Sequence, residues 1–264
     1  MRFFRRAGAA VLLAAVLLTT GCGTKPPTDT TDAGNAQTGD GLVEVKNGRD
    51  LPGYYYENNL TDKAADPFIL YADDTYYLYC TGGSRFSVRQ TKYLNAWPSE
   101  SKPILSLADL GWAREKGWAP EVYAYNGKYY MIFSAQGYND LHAIDIAVSD
   151  TPDGTFKPLS SAPFFAPDYS VIDGSLFFDD DGRIYMYYSK DNSTNTVGGK
   201  RTSQTYGIEV EKDFSGVIGE PVIISTPEQE WELKSGSVVW NEGPVVFKEN
   251  GVYYLLYSAN YYVS

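Results

Sequence analysis

The chain has 264 residues, a formal net charge of −11, two cysteines and one histidine, His142. That acidic balance argues against nucleic acid as a partner, and a single histidine argues against a multi-histidine metal centre or a His-based triad. Aromatic residues make up 15% of the chain, mostly Tyr; a flat apolar face with a hydroxyl suits sugar rings, and it also suits β-sheets.

The amino terminus, MRFFRRAGAAVLLAAVLLTTGCG, carries Arg2, Arg5 and Arg6 ahead of an apolar stretch, Ala7 to Leu18, that is short for a membrane span. Leu18-Thr19-Thr20-Gly21-Cys22 resembles a bacterial lipobox, with Thr19 where Leu is commonest. Residues 1–22 are therefore expected to be a lipoprotein signal peptide whose Cys22 takes the lipid; the alternative is an ordinary secretory peptide. Residues 23–41, rich in Thr, Asp, Pro, Gly and Ala, lack large apolar side chains and read as a flexible linker. The folded part is expected over 42–264. With Cys22 lipidated, Cys80 has no disulfide partner and reads as a buried apolar thiol.

Beyond the linker, helical periodicity is almost absent. Only residues 106–117, SLADLGWAREKG, offer a turn or two of helix. Four segments instead share one plan: ADPFILYADDTYYLYCTG (65–82), APEVYAYNGKYYMIFSA (119–135), IDGSLFFDDDGRIYMYYS (172–189) and NEGPVVFKENGVYYLLYSA (241–259). Each has a polar or Pro-bearing lead-in, an apolar strand, a tight Asp/Asn/Gly turn and an aromatic strand. The turns Asn126-Gly127, Asp181-Gly182 and Asn250-Gly251 are hairpin signals. Third strands are predicted at 87–91, 143–149 and 206–211, with none after the fourth hairpin. Repeated sheet units without helices predict an all-β β-propeller, with a two-sheet sandwich as the alternative.

In a propeller, equivalent lead-in positions of successive blades converge on one pit. Asp66, Asp173 and Glu242 stand at the first, third and fourth lead-ins. Asp173 and Glu242 each lie eleven residues before the aromatic strand, at Ile184 and Tyr253, with Ala119 at the second lead-in. A single acid there could merely start a turn. Three in register point to glycoside hydrolysis, which needs one ionised carboxylate and one protonated carboxylic acid roughly 6.5–9.5 Å apart when it inverts configuration.

The segments ADPFIL, WAPEV (118–122), VIDGSLFFDDDGRIYMYYS and NEGPVVFKENGVYYLLYSA resemble glycoside hydrolase family 43, the five-bladed propeller enzymes that cut arabinose- and xylose-containing polysaccharides. The resemblance runs from about Leu51 onward. It implies Asp66 as general base, Glu242 as general acid and Asp173 as the residue that raises the acid's pKa. Trp118 and Glu121 match the family's WAPE segment; Trp118 either walls the pocket or packs between blades, and Glu121 either meets substrate or caps a turn. Trp240 contributes to a subsite or to packing.

The resemblance also implies five blades where this sequence shows about three and a half to four, so an incomplete, poorly stable and weakly active propeller is expected. No cofactor is required for the reaction, although the family implies a structural calcium in the channel of a complete ring; His142 does not match the histidine that holds it. The expected protein is a monomeric arabinofuranosidase or xylosidase on the bacterial cell surface, lipid-anchored or secreted, acting on plant cell-wall polysaccharide by inversion. The alternatives are a catalytically silent, lipid-anchored sugar-binding propeller and a retaining enzyme of fructans or other furanosides.

Overall fold

Every hairpin signal in the sequence becomes an antiparallel strand pair. The computed structural model describes residue 61, residues 64–234 and residues 236–260. The signal, Cys22 and linker expectations lie outside these residues.

The first blade pairs β1 (Phe68–Ala72), β2 (Thr75–Tyr79), β3 (Arg85–Thr91) and β4 (Lys102–Ser106) in chain order. The second does the same with β5 (Ala113–Tyr125), β6 (Lys128–Gly137), β7 (His142–Ser149) and β8 (Lys157–Pro158). The third joins β9 (Val171–Phe178), β10 (Ile184–Lys190), β13 (Gln204–Val210) and β14 (Val217–Ser225). The three predicted third strands are thus β3, β7 and β13. The leading strands β1, β5, β9 and β15 (Val238–Glu249) pack against one another in succession, which is the arrangement of a propeller.

Residues 106–117 hold one helical turn, the 3-10 turn Leu107–Asp109, and then the extended β5, which starts at Ala113 and runs upstream of the WAPE segment. The fourth hairpin, β15 with β16 (Val252–Asn260), is not a bare pair. Two short strands from the preceding segment, β11 (Thr196–Val197) and β12 (Lys200–Thr202), complete its sheet, and β12 runs parallel to β15 with Arg201 opposite Val238. Blade four leaves Val245, Phe247, Tyr254 and Leu256 exposed.

The turns follow from their residues. Asp73-Asp74, Asn126-Gly127 and Asn250-Gly251 all have both φ angles positive, as the twist of a two-residue hairpin demands. Asp181-Gly182 is different: the Asp179 N–H donates to Arg183 O beyond the Phe178–Ile184 pair, so the turn holds residues 180–182, three rather than two, and only Gly182 is left-handed. That one extra residue matters below.

Strand alternation divides the core between blades. Along β6, Met131, Phe133 and Ala135 join Tyr79, Phe86 and Phe156 in a cluster between blades one and two. The intervening Ile132 joins Ile144, Ile146, Met186 and Tyr188 in a second cluster between blades two and three. Successive side chains point to opposite faces, so one strand serves both cores. Cys80 is half-buried rather than fully buried; burial raises its thiol pKa while Arg89 opposes the shift. The thiol is therefore not in the apolar setting expected of it.

Gly174 lies where blade three leans on blade two. A Cβ there would stand 2.9 Å from Ile132 Cδ1 and 3.2 Å from Ile144 Cδ1. Gly174→Ala is expected to destabilise the fold by ~1–3 kcal/mol, the usual cost of overpacking, read from a denaturant melt. An unchanged midpoint would show that these isoleucines yield freely.

Candidate active site

Each blade begins with one left-handed residue. The φ angles are 49° at Asp66, 45° at Ala119, 55° at Asp173 and 62° at Gly243. In blades two, three and four the register slips at this point, so that Ala119-Pro120, Asp173-Gly174 and Gly243-Pro244 each oppose a single residue of the next strand. These are β-bulges. In blade one, Asp66-Pro67 holds the same place, since Tyr79 pairs with Phe68 and the Thr81 N–H donates to Ala65 O beyond it.

This register corrects one expectation. Asp66, Ala119, Asp173 and Gly243 are equivalent, and Glu242 stands one residue earlier, level with Ala65, Trp118 and Ile172. Counting back from the aromatic strands equated Asp173 with Glu242 because the turn after β9 is one residue longer than the turn after β15.

The bulges nonetheless gather the acids. The Gly243 N–H donates to Asp173 Oδ2 at 3.1 Å, tying the third lead-in to the fourth. The Thr81 hydroxyl donates to Asp66 Oδ2 at 2.5 Å and accepts from the Ala119 N–H at 2.9 Å, tying the first to the second. That bond also satisfies the N–H of the one lead-in residue, Ala119, that adopts φ > 0 without being Gly or Asp, a conformation that costs roughly 1–2 kcal/mol.

The electrostatics follow from the crowding. Burial, the neighbouring Glu242 charge and then that of Asp66 push Asp173 up to about 8. Burial first, and then the charges of Asp191 and Asp66, push Glu242 up to about 7, although the donors Ser203 and Asn192 pull the other way. Burial likewise raises Glu121 to about 7, opposed by hydrogen bonds from Tyr123 and Ser175. Asp66, by contrast, is exposed to solvent.

The supporting residues separate into two groups. Trp118, half-buried, stacks on the His142 ring at 4.4 Å between centroids and 22° between planes; His142 belongs to the same blade, so this stacking lies within blade two rather than between blades, and Trp118 stands level with Glu242 in register. Glu121 lies beside Asp173 but is engaged by the Tyr123 hydroxyl and Ser175. Trp240 is two residues before Glu242 on β15 and shares its face of the strand. His142 is the first residue of β7, 5% exposed, with its pKa lowered to about 4 by burial.

Sequence reading missed Thr81, Asn192 and Ser203. Asn192 Nδ2 donates to Glu242 Oε1 at 3.2 Å, and the Ser203 hydroxyl donates to the same oxygen at 2.5 Å. The available signal was the polar run DNSTN at 191–195, which offers no periodicity. Among the described residues no group of three or more His, Cys, Asp or Glu side chains is placed to hold a metal ion.

The family described as glycosyl hydrolases family 43 matches residues 57–263. A xylosidase/arabinosidase 43A of Humicola insolens is 40% identical over 85 residues, 32% of this chain and 25% of that protein. An extracellular exo-alpha-(1->5)-L-arabinofuranosidase of Streptomyces chartreusis is 28% identical over 78% of this chain and 62% of its own length. The crystal structure of a thermostable family-43 glycoside hydrolase superposes with a TM-score of 0.73 at 39% identity, covering 79% of this chain and 68% of that one. The chain thus spans only a quarter to about three-fifths of the length of these two curated relatives.

The raised pKa of Asp173 has a thermodynamic consequence. The folded chain keeps this proton where the unfolded chain has released it, so stability falls as pH rises from about 4 towards about 8. Asp173→Asn, which still accepts from Gly243, is expected to melt most like the wild type at or below about pH 4 and to be more stable by ~1–3 kcal/mol above pH 8. Thermal melts at the two pH values check this; parallel pH dependence in both proteins would contradict the assigned proton affinity.

Proposed function

The chain belongs to glycosyl hydrolases family 43, and on that premise we propose that it hydrolyses arabinofuranosyl or xylosyl linkages of plant polysaccharide with inversion at the anomeric carbon. The observation that carries this reading is the set of three acids at adjoining blade lead-ins, two of them holding protons into the neutral range and the third facing solvent.

The roles follow from those differences. Asp66 is the base: exposed, and accepting the Thr81 hydroxyl, it takes a proton from the attacking water. Glu242 is the acid: its elevated pKa keeps a proton available, which passes to the glycosidic oxygen as the bond from that oxygen to the anomeric carbon breaks. Water adds to the opposite face of the ring. Asp173, half-buried and accepting from the Gly243 N–H beside Glu242, helps orient the acid, and repulsion between the two carboxylates keeps a proton on the pair into the neutral range. Trp118 and Trp240 wall the sugar site.

The relatives' printed activities support an arabinose- or xylose-containing substrate, and the word extracellular in one of them supports action outside the cytoplasm. The lipobox-like Cys22 supports attachment to the outer face of the membrane, with the linker 23–41 as the spacer. Radiolabelled palmitate is expected in the wild type and absent from Cys22→Ser; equal labelling would refute the anchor.

The silent sugar-binding alternative gains nothing from these acids, because a binder of neutral sugars has no use for carboxyls of raised proton affinity. Release of reducing sugar from aryl arabinofuranoside, aryl xyloside and arabinan decides between them. Asp66→Ala and Glu242→Ala are each expected to lower kcat/KM by roughly 10²–10⁴-fold on unactivated substrate. Early product spectra by NMR should show the inverted anomer. Binding without turnover, or activity surviving both substitutions, would refute the enzymatic reading.

A further inference from the structure

Blade four borrows a strand, and that strand carries a device for the acid. The segment between β10 and β13 leaves blade three, lays β12 parallel to β15, and fixes Ser203 through its N–H to Val239 O at 2.9 Å. Ser203 is fully buried and Asn192 is 6% exposed. Both donate to one oxygen of Glu242: Ser203 Oγ at 2.5 Å and Asn192 Nδ2 at 3.2 Å, with Asn192 Nδ2 also donating to Ser203 Oγ at 3.1 Å. Arg201 holds the amide the right way round, its Nη2 donating to Asn192 Oδ1 at 3.1 Å and its Nε to Asn192 O at 3.2 Å. With the guanidinium on Oδ1, the amide can present only its NH2 to Glu242.

We infer that Ser203 and Asn192, locked by Arg201, are positioning residues that occupy Oε1 of Glu242 and leave Oε2 as the oxygen that carries and delivers the proton. An oxygen already accepting two hydrogen bonds is the poorer site for a proton, so the protonated acid presents its O–H from one oxygen and in one orientation. The same donors favour the carboxylate once the proton has left. The charges that face Glu242 are those of Asp191 and Asp66, both of which favour the protonated form; the adjacent Asp173 holds its own proton up to about 8 and is neutral while Glu242 titrates. The clamp therefore tempers an acid that its other neighbours would hold too tightly. The inference rests on the reading of Glu242 as the acid, and it extends that reading to the segment between β10 and β13.

The test uses the full chain with Ser203→Ala and, independently, Asn192→Ala. Two readouts apply. In hydrolysis, glycosides with poor leaving groups need the proton and activated aryl glycosides need it little, so each variant should lose roughly tenfold or more on the former and much less on the latter. In ¹³C-carboxyl NMR, with Glu242 assigned by its loss in Glu242→Gln, the titration midpoint should rise in both variants. Arg201→Ala should shift it the same way by less. Equal losses on both classes of substrate, or an unmoved midpoint in folded Ser203→Ala or Asn192→Ala, would overturn the clamp. Should the wild type hydrolyse neither class, the glycosidase reading fails while the NMR titration still decides whether these residues hold Oε1.

Discussion

A left-handed residue at the head of each blade is the constraint on which the site depends. The bulge at Asp66, Ala119, Asp173 and Gly243 puts two residues of a leading strand against one of its neighbour, and so turns the chain just as it enters the sheet. Repeated in each blade, it re-aims side chains that lie up to 176 residues apart in sequence, Asp66 and Glu242 among them, towards one place. The residue types match the conformation. Asp and Gly tolerate φ > 0, and Ala119, which does not, has its N–H held by the same Thr81 hydroxyl that binds Asp66. Strain at the second blade and orientation of the acid at the first thus share a single side chain.

Proximity then creates the chemistry. A carboxyl beside other carboxyls in a partly desolvated pit binds its proton more tightly, and Asp173 and Glu242 both do. Such an arrangement costs stability at neutral and higher pH, which the two interblade cores offset through large buried side chains such as Tyr79, Phe86, Phe133 and Tyr188. The site and the scaffold are linked in a direct way: Gly174, which follows Asp173, packs on Ile132 and Ile144 of the adjoining blade.

Much of this was legible in the sequence because it resides in short-range patterns. Alternation of apolar residues and Asn-Gly turns located the hairpins, and the recurrence of Asp-Pro, Asp-Gly and Glu-Gly lead-ins located the acids. Three features escaped for physical reasons. The equivalence of Asp173 with Gly243 was hidden by one extra residue in the turn 180–182, which a count along the chain cannot see. Strands β11 and β12 are two and three residues long and polar, with no periodicity to read, although they bring Ser203 to Glu242. The helical turn expected within 106–117 is confined to Leu107–Asp109, and the early start of strand β5, whose Ala113 and Gly117 are buried, was missed because pairing with β6 prevails over local preference.

The central claim, that distant acids share one electrostatic environment, is tested most directly by ¹³C-carboxyl titration of the wild-type chain and of Asp66→Asn. The account predicts two carboxyl signals, those of Asp173 and Glu242, titrating well above the ordinary carboxylate range, and both moving down when the charge at position 66 is removed. Signals that all titrate below about pH 5, or midpoints indifferent to Asp66→Asn, would contradict it.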